Sequence, residues 1–490
     1  MTPGLLVAAV VLVPLGTAAA TAMTAKSPRA QRALSFLGLG LFALSALDLL
    51  ARTADGIVIH LAFGNWALPM GIGFTVDRLA AVLLVLAALM GAAALLFEAS
   101  AAGAGARGPT VLPLMHGLLA GVAGAFATAD LFNLYVWFEV MLVCALGLLA
   151  AGARRDQLDA TLRYLGMNLV GTVLLLLAIG LWYGATGALA YPALHHAARQ
   201  LDPALRTGLV AALGLALLLK AAAFPLAAWM PAAYPALPAA SLALIGGLLS
   251  KVAVYALMRL GGEVFAPLPE SLRDGLGWLA VATMITGVLG AAYHWDLRRI
   301  LVFHSVSQVG YILLALALGT MAGAAAAVFY ILHHSVVKAG LYLVAGTIGA
   351  RSGSHDLRHL GGLAVASPGL ATVFALLALS LIGIPPLTGF WAKLLVLQAT
   401  FGQERWVWGT AALAVSVLTL YSMMKIWIEA FWKPHPSEWA EPGKTAALTA
   451  PWWPAWLAMG LLAALSLGFG LWPQDLIGFP QASTTGYIRP

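Results

Sequence analysis

Lys220, Lys251, Lys338 and Lys393 each stand inside a long apolar stretch, and Glu139 stands in a fifth. A charge at the centre of a membrane helix costs a few kcal/mol or more, so an ionisable group kept there is read first as functional. Burial penalises the ammonium form of a lysine, which brings proton loading and release into play near neutral pH. Lysines placed in this way describe a row of protonatable sites threaded through a membrane. The chemistry such a row can do is proton transfer from one site to the next.

The surroundings of each residue sharpen the expectation. Lys220 lies in LLLKAAAFP, a little over one helical turn before Phe224-Pro225. Glu139 lies in LYVWFEVML, where a charge is costly unless a cation neutralises it. Lys220, two helices away, is the expected partner. A pair that forms and breaks would switch the lysine's hold on its proton, and a static ion pair is the other reading. Lys251 follows on the next helix in GGLLSKV, where Gly246 and Gly247 permit close helix approach or water entry. In YILHHSVVK, His334 and Lys338 are four apart and share a helix face. Histidine titrates near neutral pH and suits proton transfer. His333 points to a different face from His334, and no Cys or carboxylate joins them, so no metal site and no cofactor are expected. His304, in FHSVSQ, is a second relay candidate, or equally a hydrogen-bonding histidine near a helix end. Lys393, in GFWAKLL, is tied to a second proline break, whereas Lys425 lies nearer a span end and is expected to snorkel.

These residues need elements that can hold them in lipid. The chain of 490 residues is 62% hydrophobic and 9% charged, against about 25% charged in a soluble domain. Its bulk must therefore face lipid or other membrane helices. Only helices or a closed barrel satisfy the backbone there, and the apolar runs are continuous rather than alternating, which favours helices. The lone cysteine, Cys144, excludes an internal disulfide and any multi-Cys metal or iron–sulfur site. The formal charge of +7 reads as topology, because many basic residues fall in short loops. The first apolar stretch lacks a basic leader and a convincing cleavage site, so a retained first helix is expected. Trp406, Trp408, Trp427, Trp432, Trp452 and Trp453 read as an interfacial belt.

Windows of about twenty apolar residues predict an all-α polytopic membrane protein of about fourteen transmembrane helices. The seventh is broken at Phe224-Pro225 and the twelfth at Ile384-Pro385-Pro386-Leu387. Proline removes a backbone donor, and a broken span is tolerated only where protein buries it or it lines a wet cavity. Placing both termini outside puts the larger set of basic residues inside, including Lys26, Arg154, Arg155, Arg298, Arg299, Arg351 and Lys444. The smaller set, including Arg52, Arg78, Arg259 and Arg405, then lies outside. The two breaks lie an odd number of spans apart, which predicts two inverted five-helix repeats, a common transporter architecture. The expected divisions are residues 1–108 for the first three helices and 109–262 for the first repeat. The second repeat follows at 275–431, with a loop and the last helix at 432–490.

Six segments together resemble a known family. They are DLFNLYVWFEVML, LLLKAAAFPLAAWMPAAYPALP, GGLLSKVAVYALMR, RRILVFHSVSQVGYILL, LHHSVVKAGLYL and IPPLTGFWAKLLV. They are similar to the antiporter-like membrane subunits shared by respiratory complex I and the Mrp multisubunit cation/proton antiporters. FNLYVWFEVML and WMPAAYPALP look most like the D-type Mrp subunit, and Ala232 stands where complex I relatives carry Asp. Ala253 and Ala392 stand where glycine is commoner. The resemblance implies fourteen helices, broken helices seven and twelve, and a hydrated polar axis. It assigns the functional residues to Glu139, Lys220, Lys251, Lys338 and Lys393, with His334 as neighbour. It also implies partner subunits of A, B, C, E, F and G types, a bacterial cell membrane, and exchange of H+ for Na+. Sodium is expected to move in part through another subunit, because a lysine row repels cations and offers few hard oxygen ligands. Two rivals stay open. One is a proton-pumping subunit of a redox complex, of the complex I or membrane-bound hydrogenase type. The other is a scaffold whose charges merely hold helices together.

Overall fold

The computed structural model describes residues 2–63, 71–100, 108–434 and 452–474. Arg107, Lys444 and Arg489, which contributed to the loop-charge reading, lie outside them, as does most of the expected C-terminal division. The first helices are α1 (Pro3–Met23), α2 (Pro28–Arg52), α3 (Arg78–Glu98), α4 (Val111–Ala127), α5 (Leu131–Ala150) and α6 (Arg155–Thr186). There follow α7 (Tyr191–Ala198), α8 (Pro203–Ala221), α9 (Trp229–Ala233), α10 (Ala239–Arg259), α11 (Glu270–Tyr293) and α12 (Leu297–Ala317). The last are α13 (Met321–Ser352), α14 (Leu363–Ala366), α15 (Pro368–Ile382), α16 (Thr388–Gly402), α17 (Trp406–Ile426) and α18 (Trp453–Leu471). Among the described residues, twelve helical segments are long and apolar enough to cross a membrane, and α4 and α15 are shorter apolar helices. The chain is thus an all-α, multi-pass membrane protein. A small hairpin, β1 (Ile59–Ala62) with β2 (Gly73–Val76), was not foreseen; Ile59 pairs with Val76 in antiparallel register.

The scarce acidic side chains mark where helices start. Asp77 accepts from the Ala80 N–H at 2.8 Å, Asp130 from Asn133 at 2.8 Å and Asp296 from Arg299 at 2.9 Å. Each satisfies a donor that the helix itself cannot. Helix α2 begins at Pro28 and α6 at Arg155, both several residues before the apolar windows of the sequence. Their first turns are polar, so hydropathy misses them, while proline at the start of α2 and the Arg154–Gln157 cap of α6 set the true ends.

A core of three helices is sheathed by the others. The apolar windows of α10, α12 and α13 are 94%, 89% and 100% buried, which fits helices that are apolar all round. Helix α13 packs on α10, α12, α15, α16, α18 and α3. Gly246 lets α10 approach α13, because a Cβ there would come within 2.5 Å of the Tyr342 ring.

Both expected breaks are present. Helix α8 ends at Ala221, immediately after Lys220 and closer than the proline alone suggested, with Ala222 in the left-handed region at φ 60°. The freed groups find partners: the Trp229 indole donates to Leu219 O at 3.0 Å, and the Phe224 N–H donates to Thr283 Oγ1 of α11 at 3.0 Å. Helix α15 ends at Ile382 with Gly383 as its cap, φ 99°, and α16 restarts at Thr388. This answers the demand that non-helical backbone at membrane depth be bonded within the protein.

Two assignments are corrected, one of a charge and one of an aromatic residue. Arg259, counted with the outer loops, is 1% exposed. It is held by Asp77 and by Glu263 at 2.7 Å, and it donates to the Tyr255 hydroxyl at 2.9 Å. Four-residue spacing along α10 and its π-helical extension Leu260–Val264 puts Tyr255, Arg259 and Glu263 on one face. Trp408, counted in the belt, is buried and stands edge-on to Trp278, whereas Trp406, Trp432 and Trp453 are exposed.

Candidate functional site

At one end of the row, Glu139 projects from α5, Lys220 from the last turn of α8, and Thr172 from α6 between them. The Thr172 hydroxyl donates to Glu139 Oε1 at 2.7 Å and accepts from Lys220 Nζ at 2.9 Å. Lys220 also donates to Asn168 O at 3.4 Å, and its ammonium lies 5.9 Å from the centroid of the Phe138 ring. The expected Glu139–Lys220 partnership is therefore carried by a hydroxyl rather than by a direct ion pair. A hydroxyl has one hydrogen and two lone pairs, so Thr172 can serve both groups at once. A cavity of about 20 Å3 adjoins Lys220, lined by Phe138, Tyr164, Asn168, Trp229 and Leu249. That is room for about one water molecule, and Leu249 places its far wall on α10, two residues from Lys251.

The centre of the row is fully buried. Lys251 reaches back along α10 and donates to Gly246 O at 2.6 Å. Lys338 donates to Leu301 O, and its ammonium lies 5.0 Å from the centroid of the Tyr342 ring. Tyr342 in turn shares a 2.7 Å hydrogen bond with Ser305. His334 is 0% exposed, and among the described residues neither ring nitrogen has a hydrogen-bond partner. Lys251, Lys338, His333 and His304 are all within electrostatic reach of it. His304 meets Ser422 through Nε2 at 2.7 Å and feels Lys338, Lys393 and Lys425.

At the other end, Lys393 in the second turn of α16 donates to Ile382 O at 2.7 Å, the last carbonyl of α15. Its ammonium lies 5.5 Å from the Tyr311 ring centroid. His333 Nδ1 lies 2.9 Å from Thr388 Oγ1, and Thr388 meets Ser380 at 2.9 Å and Ser466 of α18 at 3.1 Å. Lys425 donates to Ala292 O and His294 O at 2.7 and 2.6 Å, so it caps the end of α11 and stands apart from the row.

The helices that carry the row are contiguous: α8 packs on α10, α10 on α13, and α13 on α12 and α16. Lys220, Lys251, His334, Lys338, His304 and Lys393 thus sit on mutually packed helices, and Glu139 on α5 joins them through α6, which packs on both α5 and α8. The ammonium groups are each held by oxygens or aromatic faces inside the bundle, where snorkelling to the surface would have left them exposed. Among the lysines of the row, Lys338 lies within electrostatic reach of Lys251. Sequence reasoning missed Thr172, Tyr342, Thr388, Ser380 and Ser466. Single hydroxyls in apolar stretches usually bond their own helix backbone, and nothing in the sequence separates these from the rest.

The family model described as NADH:quinone oxidoreductase/Mrp antiporter, transmembrane, matches residues 128–419. The chain is 38% identical over 424 residues to the D subunit of the Na(+)/H(+) antiporter of Alkalihalophilus pseudofirmus, covering 86% of each chain. It is 34% identical over 376 residues to the protein of the same name in Bacillus subtilis, covering 76% of each. A chain in the structure of the Mrp complex from Dietzia sp. DQ12-45-1b superimposes with a TM-score of 0.91 at 32% identity, over 100% of this chain and 98% of that one.

Proposed function

Because the chain belongs to the NADH:quinone oxidoreductase/Mrp antiporter family, we propose that it is the D-type, proton-translocating subunit of a multisubunit Na+/H+ antiporter. The observation that carries this reading is the run of protonatable groups from half-buried Glu139, bridged by the Thr172 hydroxyl to buried Lys220, and on through buried Lys251, His334 and Lys338 to Lys393, on helices that pack on one another. Protons enter by a half-channel, load the Glu139–Lys220 site, and pass through Lys251 and the His334–Lys338–His304 group to Lys393. Each transfer moves a positive charge and so changes the affinity of the next site. One elementary charge moved through 100 mV is worth about 2.3 kcal/mol, enough to bias each step.

The chain has fourteen spans, with α8–α9 and α15–α16 as the broken seventh and twelfth. Residues 109–262 and 275–431 are two repeats of opposite orientation. Both termini lie on the outer side of a bacterial inner membrane. The partners are subunits of the A, B, C, E, F and G types, and sodium crosses in part through one of them. The similarity to two D-type antiporter subunits favours antiport over a redox-driven pump, whose neighbouring genes would encode quinone- or iron–sulfur-binding subunits. A scaffold role would let the joint charge-neutral swap of Lys220 and Glu139 keep full activity.

The test uses everted vesicles carrying the complete complex. Addition of Na+ should dissipate a preformed pH gradient, and Lys220→Ala should abolish that response without preventing assembly. Full activity in the assembled variant would overturn the assignment.

A further inference from the structure

A second space lies away from the proton row. Helix α8 packs on α6 and α10, and α11 packs on α12 and α17, so a seam is left between α8 and α11. The seam holds about 700 Å3, inside the range of roughly 300–1,000 Å3 for small-molecule sites. Its walls are apolar, with Leu213 and Leu217 of α8, Leu276 and Leu279 of α11, Leu316 of α12 and Val328 of α13. Leu215, also on the wall, is 47% exposed, so the seam opens sideways from the bundle. Beyond Leu218 and Leu279, the Phe224 N–H bond to Thr283 Oγ1 joins the two sides. Residues 210–218 of α8 line the seam over about 12 Å. That is close to the hydrocarbon depth of one leaflet, about 15 Å. Water does not settle in a space with so few polar partners, and a gap forfeits the dispersion contacts of its lining. An apolar chain is the filling that satisfies these walls.

The mouth of the seam, where α11 and α13 begin and α12 ends, is positive. Arg273, in the first turn of α11, lines it. One terminal guanidinium nitrogen donates to Leu318 O at 3.3 Å, while Nε is buried and has no hydrogen-bond partner among the described residues. No carboxylate among the described residues pairs with Arg273, because Glu270 and Asp274 on the same helix are taken by Arg405 at 3.3 and 2.8 Å. Gly319 makes room for the arginine stem, since a Cβ there would stand 2.8 Å from Arg273 Cδ. Beside it, Thr320 Oγ1 accepts the Gly323 N–H at 3.1 Å and keeps its own hydrogen to donate. A second arginine, Arg206 of α8, is held by Phe265 O at 2.6 Å and Pro267 O at 3.5 Å, carbonyls of residues that line the seam. Glu263 is the acidic residue of the lining, and Arg259 holds it at 2.7 Å. An arginine with a spare donor at the end of an apolar slot matches a phosphate joined to acyl chains. We propose that the seam binds one glycerophospholipid, its acyl chains between α8 and α11 and its phosphate oxygens on Arg273 and Thr320. In the orientation proposed above, the mouth faces the outer leaflet. Leu217 lies one helical turn before Lys220, so the bound chains pack on the turn that carries that lysine. The assignment does not rest on the proton-translocation reading.

The experiment places the purified complete complex in nanodiscs of dioleoylphosphatidylglycerol and maps it by cryo-electron microscopy. Tail density should fill the seam, and the phosphate should stand within hydrogen-bond reach of Arg273. A seam without lipid density, or one filled by a helix of another subunit, would overturn the proposal. A second measurement titrates the same lipid into the complex in detergent and counts bound phospholipid by native mass spectrometry. Gly214 lines the seam, and a Cβ there meets nothing within 4 Å. Gly214→Leu therefore fills the space and should bind one phospholipid fewer than wild type. Arg273→Gln should raise the half-saturating lipid concentration of that site about ten-fold, the factor expected for one lost hydrogen bond to a charged group. Equal retention in wild type and both variants would overturn the proposal. Displacement of the lipid by inorganic phosphate would make Arg273 a site for a free anion and would overturn it too. Should Gly214→Leu not assemble, the wild-type map and Arg273→Gln still decide the matter.

Discussion

A threonine hydroxyl does the joining at the first lysine. Lys220 and Glu139 are too far apart in the bundle to bond directly, and Thr172 spans them by donating to one and accepting from the other. Hydrogen bonds to charged groups are worth about 1.5–3 kcal/mol, and the removal of this one leaves two ionisable groups without their shared partner. Thr172→Val should therefore lower the antiport rate by roughly ten-fold, since about 1.4 kcal/mol corresponds to a factor of ten. Thr172→Ser should stay close to wild type. The measurement is the initial rate of Na+-driven gradient collapse, normalised to assembled complex; equal rates in the two variants would remove Thr172 from the path.

At the scale of the element, the two broken helices solve the same steric problem with different residues. The second break uses Gly383, φ 99°, where a left-handed backbone carries little penalty. A Cβ at Gly383 would also stand 3.0 Å from Lys393 Cδ. The first break uses Ala222 at φ 60°, which costs about 1–2 kcal/mol for a residue with a Cβ. Gly383→Ala should thus destabilise the purified complex by about 1–2 kcal/mol and displace Lys393. Ala222→Gly should leave stability equal or higher. Thermal unfolding in detergent checks the pair, and a Gly383→Ala midpoint equal to wild type would contradict the geometry.

For the whole molecule, a buried ion cluster ties the N-terminal helices to the core. Asp77 begins α3, Arg259 ends α10, and Glu263 follows in the π-helical extension. Breaking a buried ion pair from one side leaves an uncompensated charge and costs about 3–5 kcal/mol. Here two carboxylates would be stranded, so Arg259→Met should fall in that range or fail to assemble. Double replacement with Asp77→Asn should recover part of the loss. Complex yield and thermal midpoint report both outcomes, and an unchanged midpoint in the single variant would show that the cluster carries no stability.

Much of this molecule is legible in its residues alone. Lys220, Lys251, Lys338 and Lys393 could be found because a charge in an apolar run is costly, and that cost depends on local sequence. The same holds for the breaks at Pro225 and Pro385-Pro386, because proline acts on its own backbone, and for the helical, multi-pass class. What the chain's order could not fix was which hydroxyl meets which charge. Thr172, Thr388 and Ser466 gain their roles from helices brought together over long separations, and Arg259 looked like a loop residue until Asp77 was packed against it. Charge and backbone chemistry are properties of a segment, whereas hydrogen-bond partnership is a property of distance in space, and only the packed bundle sets that distance.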